Sequence, residues 1–245
     1  MTALQQAIEQ QGLAILPRLL SADRVACLVS DLYRSLPEDG ASVLRSQRHV
    51  YGIRNLIDVW PPALSVAQEP VLREVLATVL GEGYGLVRSI FFDKPPGRTW
   101  SLPWHRDMTI AVRDAGRAGG EFGRATVKAG IPHVEAPVSL LRRMLTARIA
   151  LDDVTAENGP LLVIPGSHSA NCGDRLPSKR DLASRAHPVH VHAGDVFLIR
   201  PLVVHRSGPS DPNTTFHRRT LHFEFASEAA LPDGLEWHQF IHVAP

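Results

Sequence analysis

The apolar pattern of this chain changes once, near residue 84, from helical periodicity to short apolar runs cut by Pro and Gly. That switch limits the fold more than any other feature, because side chains repeat every ~3.6 residues on a helix and every ~2 on a strand. Before it, an amphipathic opening segment is followed by ADRVACLVSDLYRSL, with Ser21 as its N-cap, and by PVLREVLATVL, closed by Gly81. After it come GLVRSIFFD before KPPG, LTARIALDD before ENGP, LLVIPGSH, GDVFLIRPLVVH before RSGPSDPN, and RRTLHFEFA. Helices leading into many short strands predict a mainly β fold with helical support (α+β). The expected architecture is a double-stranded β-helix, jelly-roll or cupin-like, with helices packed on its major sheet. One domain over residues 1–245 is expected: mainly helical to residue 82, a jelly-roll core over 83–228, and a C-terminal tail over 229–245. Residues 115–137 and 170–188 read as long loops, and the first is a candidate lid.

Composition then narrows the partners. With 26 Lys plus Arg against 25 Asp plus Glu, the formal charge is +1, so no cationic excess exists to attract nucleic acid or an anionic membrane. A small-molecule substrate is expected instead. MTALQQAIEQQ lacks a basic start followed by an apolar run, and no stretch approaches the roughly 20 apolar residues that span a bilayer. A cytoplasmic protein, monomeric or homodimeric, is expected. Cys27 and Cys172 are too few for a disulfide framework and read as plain thiols.

The motif with chemical content is WHRDMTIAV. On a strand, His105 and Asp107 leave the same face about 7 Å apart along the backbone, at roughly 3.3 Å per residue. A second imidazole from a distant strand would complete the 2-His-1-carboxylate face that Fe(II) oxygenases leave open, although zinc is compatible with the same three donors. His205, ending DVFLIRPLVVH just before the turn RSGPS, is the distal ligand chosen. His187, His190, His192 and the His222-Phe223-Glu224 run offer similar donors and stay in play.

An oxygenase that takes 2-oxoglutarate needs a cation for the far carboxylate, and the planar guanidinium of arginine suits it. Arg218 and Arg219 open the last strand. Alternation puts Arg218, Thr220, His222 and Glu224 on one face and Arg219, Leu221, Phe223 and Phe225 on the other. With helices covering the Leu/Phe face, Arg218 points into the barrel as the carboxylate clamp, and Thr220 is its hydroxyl neighbour. Lys128, His133, Arg113 and Trp104 are candidates to meet a polar or anionic substrate, though a solvated loop explains them equally.

Taken in order, GLAILPRLLS, FFDKPPG, WHRD, LTARIALDDV with ENGPLLVIPGSH, HRSGPS and RRTLHFEFA resemble the phytanoyl-CoA dioxygenase family of Fe(II)/2-oxoglutarate-dependent oxygenases, over about residues 10 to 226. The resemblance implies iron held by His105, Asp107 and His205, and 2-oxoglutarate held by Arg218 with Ser207 assisting. It also implies Ile90 as an apolar wall of that pocket. Arg148 falls where relatives set a side chain, often aromatic, against the co-substrate. SDPNTTFH is longer than usual, which keeps Arg219 as the alternative to Arg218. The implied reaction is oxidation of a small molecule by O₂ with release of succinate and CO₂. Hydroxylation is the expected outcome, since related halogenases replace the carboxylate at Asp107 by a small residue. The rivals are a cupin-like dioxygenase or isomerase that does not use 2-oxoglutarate, and a non-catalytic ligand-binding barrel. Asn158 and Ser167 are expected to bond backbone around LLVI rather than to act in chemistry.

Overall fold

A computed structural model describes residues 2–37, 40–46, 49–169, 176 and 178–243. The helical lead-in starts where its capping residues stand. Thr2 Oγ1 accepts the Gln5 N–H ahead of α1 (Ala3–Gln11), and Ser21 Oγ accepts the Arg24 N–H at 3.2 Å ahead of α2 (Ala22–Ser35). α1 ends at Gly12 with φ +77°, where a Cβ would lie 2.5 Å from both His168 and Val203, so only glycine fits. Two short helices, α3 (Leu56–Val59) and α4 (Ala63–Ala67), lead to α5 (Pro70–Leu80), which opens on Pro70 and stops at Gly81.

Ile8, Leu28, Leu32, Leu72 and Leu76 from these helices share one buried core with Leu198, Leu221, Phe223 and Phe225 from the sheet beneath. That sheet is antiparallel and eight-stranded. It runs β1 (Leu13–Leu16), β12 (Val196–Ile199), β9 (Met144–Ala150), β14 (Thr220–Ala226), β4 (Gly85–Phe92), β3 (His49–Arg54) and β2 (Val43–Ser46), with β15 (Ile241–His242) also paired to β4. A smaller sheet runs β11 (His187–Pro188), β10 (Leu161–Val163), β13 (His205–Ser207) and β5 (Leu102–His105). A cavity between the two is walled by Ile90, Phe92, Arg148, His222 and Glu224 on one side and His105, Leu161, His205 and Ser207 on the other. Two antiparallel sheets with helices on the larger make the expected jelly roll. Burying each of Phe223 and Phe225 stabilises this arrangement by about 1.5–3 kcal/mol. A one-residue slip of β14 would push Thr220, His222 and Glu224 into the helix core, so the register is strongly held.

Two expectations gain detail, on the lead-in and the tail, and two need correction, on residues 115–137 and 170–188. The lead-in is not helix alone, because β1, β2 and β3 join the large sheet; LAIL and VLRS, four residues each, are too short to show a period. Residues 115–137 are not an irregular loop: β7 (Ala125–Lys128) and β8 (Ile131–Glu135) form a hairpin that joins β6 (Thr109–Ala111) in a third sheet, ordered β6-β8-β7. The tail is anchored, with Leu231, Leu235 and Trp237 buried against Val112 and Val134, and β15 adds to β4. Within 170–188, α7 (Lys179–Arg185) starts at a Ser178 cap, while 170–175 and 177, Cys172 among them, lie outside the described residues. A last short helix, α6 (Val138–Leu141), precedes β9. Cys27 is an exposed free thiol, and no described helix is long and apolar enough to cross a membrane.

Candidate active site

β5 and β13 are hydrogen-bonded neighbours, and their register sets His105 opposite His205, with ring centroids 4.3 Å apart. His105 Nδ1 lies 2.7 Å from the Pro103 carbonyl, and His205 Nδ1 lies 2.9 Å from the Val203 carbonyl. A carbonyl only accepts, so each Nδ1 carries the hydrogen and each Nε2 keeps its lone pair for the site. Both Nε2 atoms lie 3.7 Å from the Asp107 carboxylate, one at each oxygen. One ligand atom from each of the three residues falls within 4.8 Å of the others. The strand ends at His105, however, so alternation does not aim Asp107. The Asp107 N–H donates to the Pro201 carbonyl at 3.0 Å, and that bond turns the chain back toward the histidines.

The rival histidines do not join this group. His187, His190 and His192 are exposed. His222 is inside the barrel, but Arg148 Nη1 donates to its Nδ1 at 2.8 Å and its Nε2–H donates to Glu224 Oε1 at 3.0 Å. A guanidinium can only donate, which sets that tautomer and leaves no lone pair for a metal. Ser167 Oγ donates to the Ile164 carbonyl at 2.6 Å and accepts the Val204 N–H at 2.8 Å, so it holds the residue before His205. Asn158 likewise donates to the carbonyls of Asp153 and His217 and accepts the Thr155 N–H, holding the residue before Arg218. Both are structural, as expected.

Charge favours cation binding at the cluster. Burial pushes the His205 imidazolium below its ordinary range, more strongly than Asp107 raises it, so the ring stays neutral with a free lone pair. Burial would raise the Asp107 carboxyl, but His205, His222, His105 and Arg148 outweigh it and the net direction is down. Two imidazoles and a carboxylate suit Fe(II) or Zn(II) equally well by donor type.

Beside the cluster lies a place for an anion. Arg218 is only 3% exposed, pairs with no carboxylate among the described residues, and leaves its Nε–H without a partner. Its Nη2 donates to Ser207 Oγ at 3.2 Å. Burial, then Arg148, depress its affinity for its proton to a pKa of about 9. Lys94, fully buried over the Trp100 ring, donates to the same Ser207 Oγ at 2.9 Å and to the Gly208 carbonyl. With both acceptor positions of Ser207 taken, its own hydroxyl hydrogen is left for an incoming group. Arg148, Arg218 and Thr220 edge an apolar slot, and Arg148 and Leu161 line both that slot and the cavity at His105. Ile90 lines the cavity with Phe92 and Trp100.

Arg219 faces the other way. Its Nε and backbone N–H donate to Asp152 Oδ2 at 2.9 and 2.7 Å, and it lines a separate cleft with Tyr33 and His217. Arg113 is paired with Glu236 at 2.7 Å, and Trp104 packs near Ile164 and Val204 beneath Arg206, so neither lines the cavity. Lys94 was not singled out in the sequence. KPPG is its only signal, and a lysine before two prolines reads as an exposed turn until the fold buries it.

The family model for phytanoyl-CoA dioxygenase (PhyH) matches residues 8–220. Dioxygenase lolE1 of Epichloe uncinata is 31% identical over 129 residues, covering 48% of this chain and 49% of that protein. Ectoine dioxygenase of Sphingopyxis alaskensis is 25% identical over 186 residues, covering 73% of this chain and 54% of that protein. The chain thus spans about half the length of these curated relatives. The crystal structure of the non-heme α-ketoglutarate-dependent epimerase SnoN from nogalamycin biosynthesis superposes with a TM-score of 0.67 at 20% identity, over 94% of this chain and 83% of that one, a likeness of fold. With the family model matched across most of its length, the chain belongs to the phytanoyl-CoA dioxygenase (PhyH) family.

Proposed function

We propose that this protein is an Fe(II)- and 2-oxoglutarate-dependent oxygenase that hydroxylates a small molecule. The observation that carries the reading is a buried arginine with no carboxylate partner among the described residues, Arg218, opening onto the same interior as a cluster of two imidazoles and a carboxylate. A buried cation without a counter-charge is costly, and a dicarboxylate spanning from Arg218 to a metal would remove that cost.

His105, Asp107 and His205 would hold the iron. Iron bound there would couple oxidative decarboxylation of 2-oxoglutarate, giving succinate and CO₂, to insertion of the second atom of O₂ into a substrate C–H bond. The chain's own contributions follow from its contacts. The carbonyls of Pro103 and Val203 keep both Nε2 lone pairs unprotonated. Arg218 Nε–H and the Ser207 hydroxyl offer donors to the far carboxylate, Thr220 stands beside them, and Lys94 orients Ser207. Ile90, Phe92 and Leu161 keep the reacting region apolar. Arg148, held by His222, reaches the wall shared by both chambers and is suited to an oxygen of the co-substrate.

Anaerobic titration with Fe(II) and then 2-oxoglutarate tests this. Wild type is expected to develop the weak visible charge-transfer band of such chelates, and Asp107→Ala or His205→Ala to lose it. Iron-dependent turnover that is indifferent to omission of 2-oxoglutarate would instead favour a cupin-like enzyme of another kind. Hydroxylation is supported by the carboxylate at Asp107, and product mass decides it: a gain of one oxygen is expected rather than isomerisation or loss of two hydrogens.

A further inference from the structure

Ile90 lines the cavity, and two of its neighbours on the same face are arginines. Arg88 lies two residues away on β4, and Arg54 is the direct cross-strand partner of Ile90 on β3. Side chains two apart on a strand, and those of register partners, share a face. The third sheet adds two more groups. Lys128 Nζ donates to Thr109 Oγ1 at 2.9 Å, and Thr109 is two residues beyond Asp107. His133 is buried, with Nδ1 2.9 Å from the Ile131 carbonyl, so Nδ1–H donates there and Nε2 is a buried acceptor without a partner.

The charges in this corner do not balance. Arg88 is paired with Glu224 at 3.1 Å, while Arg54 and Lys128 have no ion pair among the described residues. The charged groups that act on Lys128 are Arg88, Arg54, Glu224 and Asp107, and Asp107 is the carboxylate that would be spent on iron. Burial first and Arg88 second lower the proton affinity of both Arg54 and Lys128, as expected of cations gathered without enough counter-charge. The co-substrate is not the missing anion. Arg218 stands two residues ahead of β14 and Glu224 lies within it, so six residues of extended chain, about 20 Å, separate them, a longer reach than one small dicarboxylate bridges.

We infer that the molecule oxidised carries an anionic group, a carboxylate or a phosphate ester, seated between Arg54, Arg88 and Lys128, with a hydroxyl or amine hydrogen donated to His133 Nε2. This inference rests on the oxygenase reading, since it takes iron to occupy Asp107 and 2-oxoglutarate to occupy Arg218.

The test uses protein loaded anaerobically with Fe(II) and saturating 2-oxoglutarate, with the charge-transfer band recorded first. Acetate, inorganic phosphate and, as neutral control, acetamide are then titrated by calorimetry. Saturable binding of at least one anion is expected, with none of acetamide, and the tighter anion names the group. Lys128→Met, at a half-exposed hairpin position that should not disturb folding, and Arg54→Met are each expected to weaken anion binding at least tenfold, with the 2-oxoglutarate titration unchanged. The inference is overturned if acetamide binds as well as the anions, if no anion binds, if both variants bind like wild type, or if 2-oxoglutarate displaces the anion. Loss of the band in wild type with anion binding intact would strike the oxygenase reading instead.

Discussion

Arg218 is the side chain whose energetics differ most between the free and loaded protein. With no carboxylate partner among the described residues it is a buried cation held by the Ser207 hydroxyl and the Trp100 ring, so Arg218→Met is expected to stabilise the unloaded protein by on the order of 1 kcal/mol. That corresponds to about 2–4 °C in melting temperature for a chain of this size. The same substitution is expected to weaken 2-oxoglutarate binding by about 2–5 kcal/mol, read by calorimetric titration in the presence of Fe(II). Arg219→Met should do the reverse: little change in co-substrate affinity and a loss of stability, because it abandons Asp152. A melting temperature that falls in Arg218→Met would show that the buried guanidinium is already compensated.

At the scale of elements, the β7–β8 hairpin shows why one part of the site region was not legible. Its two-residue turn is Ala129-Gly130, with φ +50° and +79°, both in the left-handed region that such tight hairpins demand. Asn-Gly would have announced it, whereas Ala-Gly does not, and alanine there sits against the steric preference of its own Cβ. Ala129→Asn is therefore expected to raise stability by about 0.5–1 kcal/mol in denaturant melts, with the hairpin conformation unchanged. The β14 strand is the opposite case. Alternation from Thr220 to Phe225, polar on one side and apolar on the other, exposed its inward face without any structure.

Across the whole molecule, several histidines are partly or fully buried in surroundings that disfavour their charge, which ties stability to pH. Burial pushes His133 down to about 4 and also lowers His168 and His222. A depressed imidazole binds its proton more readily when unfolded, so its contribution is complete above about pH 6.5 and is lost as pH falls toward the folded value. Melts of the metal-free protein are expected to lose about 2 kcal/mol between pH 7.5 and pH 5 through His133 alone, with a steeper fall in total. His133→Leu should flatten the profile; an unchanged slope would mean that another group governs it.

What the sequence determined by itself was whatever depends on local period and short-range spacing. The switch from helix to strand near residue 84, the caps at Ser21 and Gly81, the inward face of β14, and the candidate trio His105, Asp107 and His205 were all readable, because each is written within a few neighbouring positions or an ordered set of motifs. Only the tertiary structure decided among the histidines, because exposure and a tautomer set by Arg148 are properties of packing. It alone put Lys94 and Arg218 on one hydroxyl and Arg219 on Asp152, and brought Arg54 and Lys128 together from strands far apart in the chain. Charge balance in a closed space is a sum over distant residues, and no local pattern carries that sum.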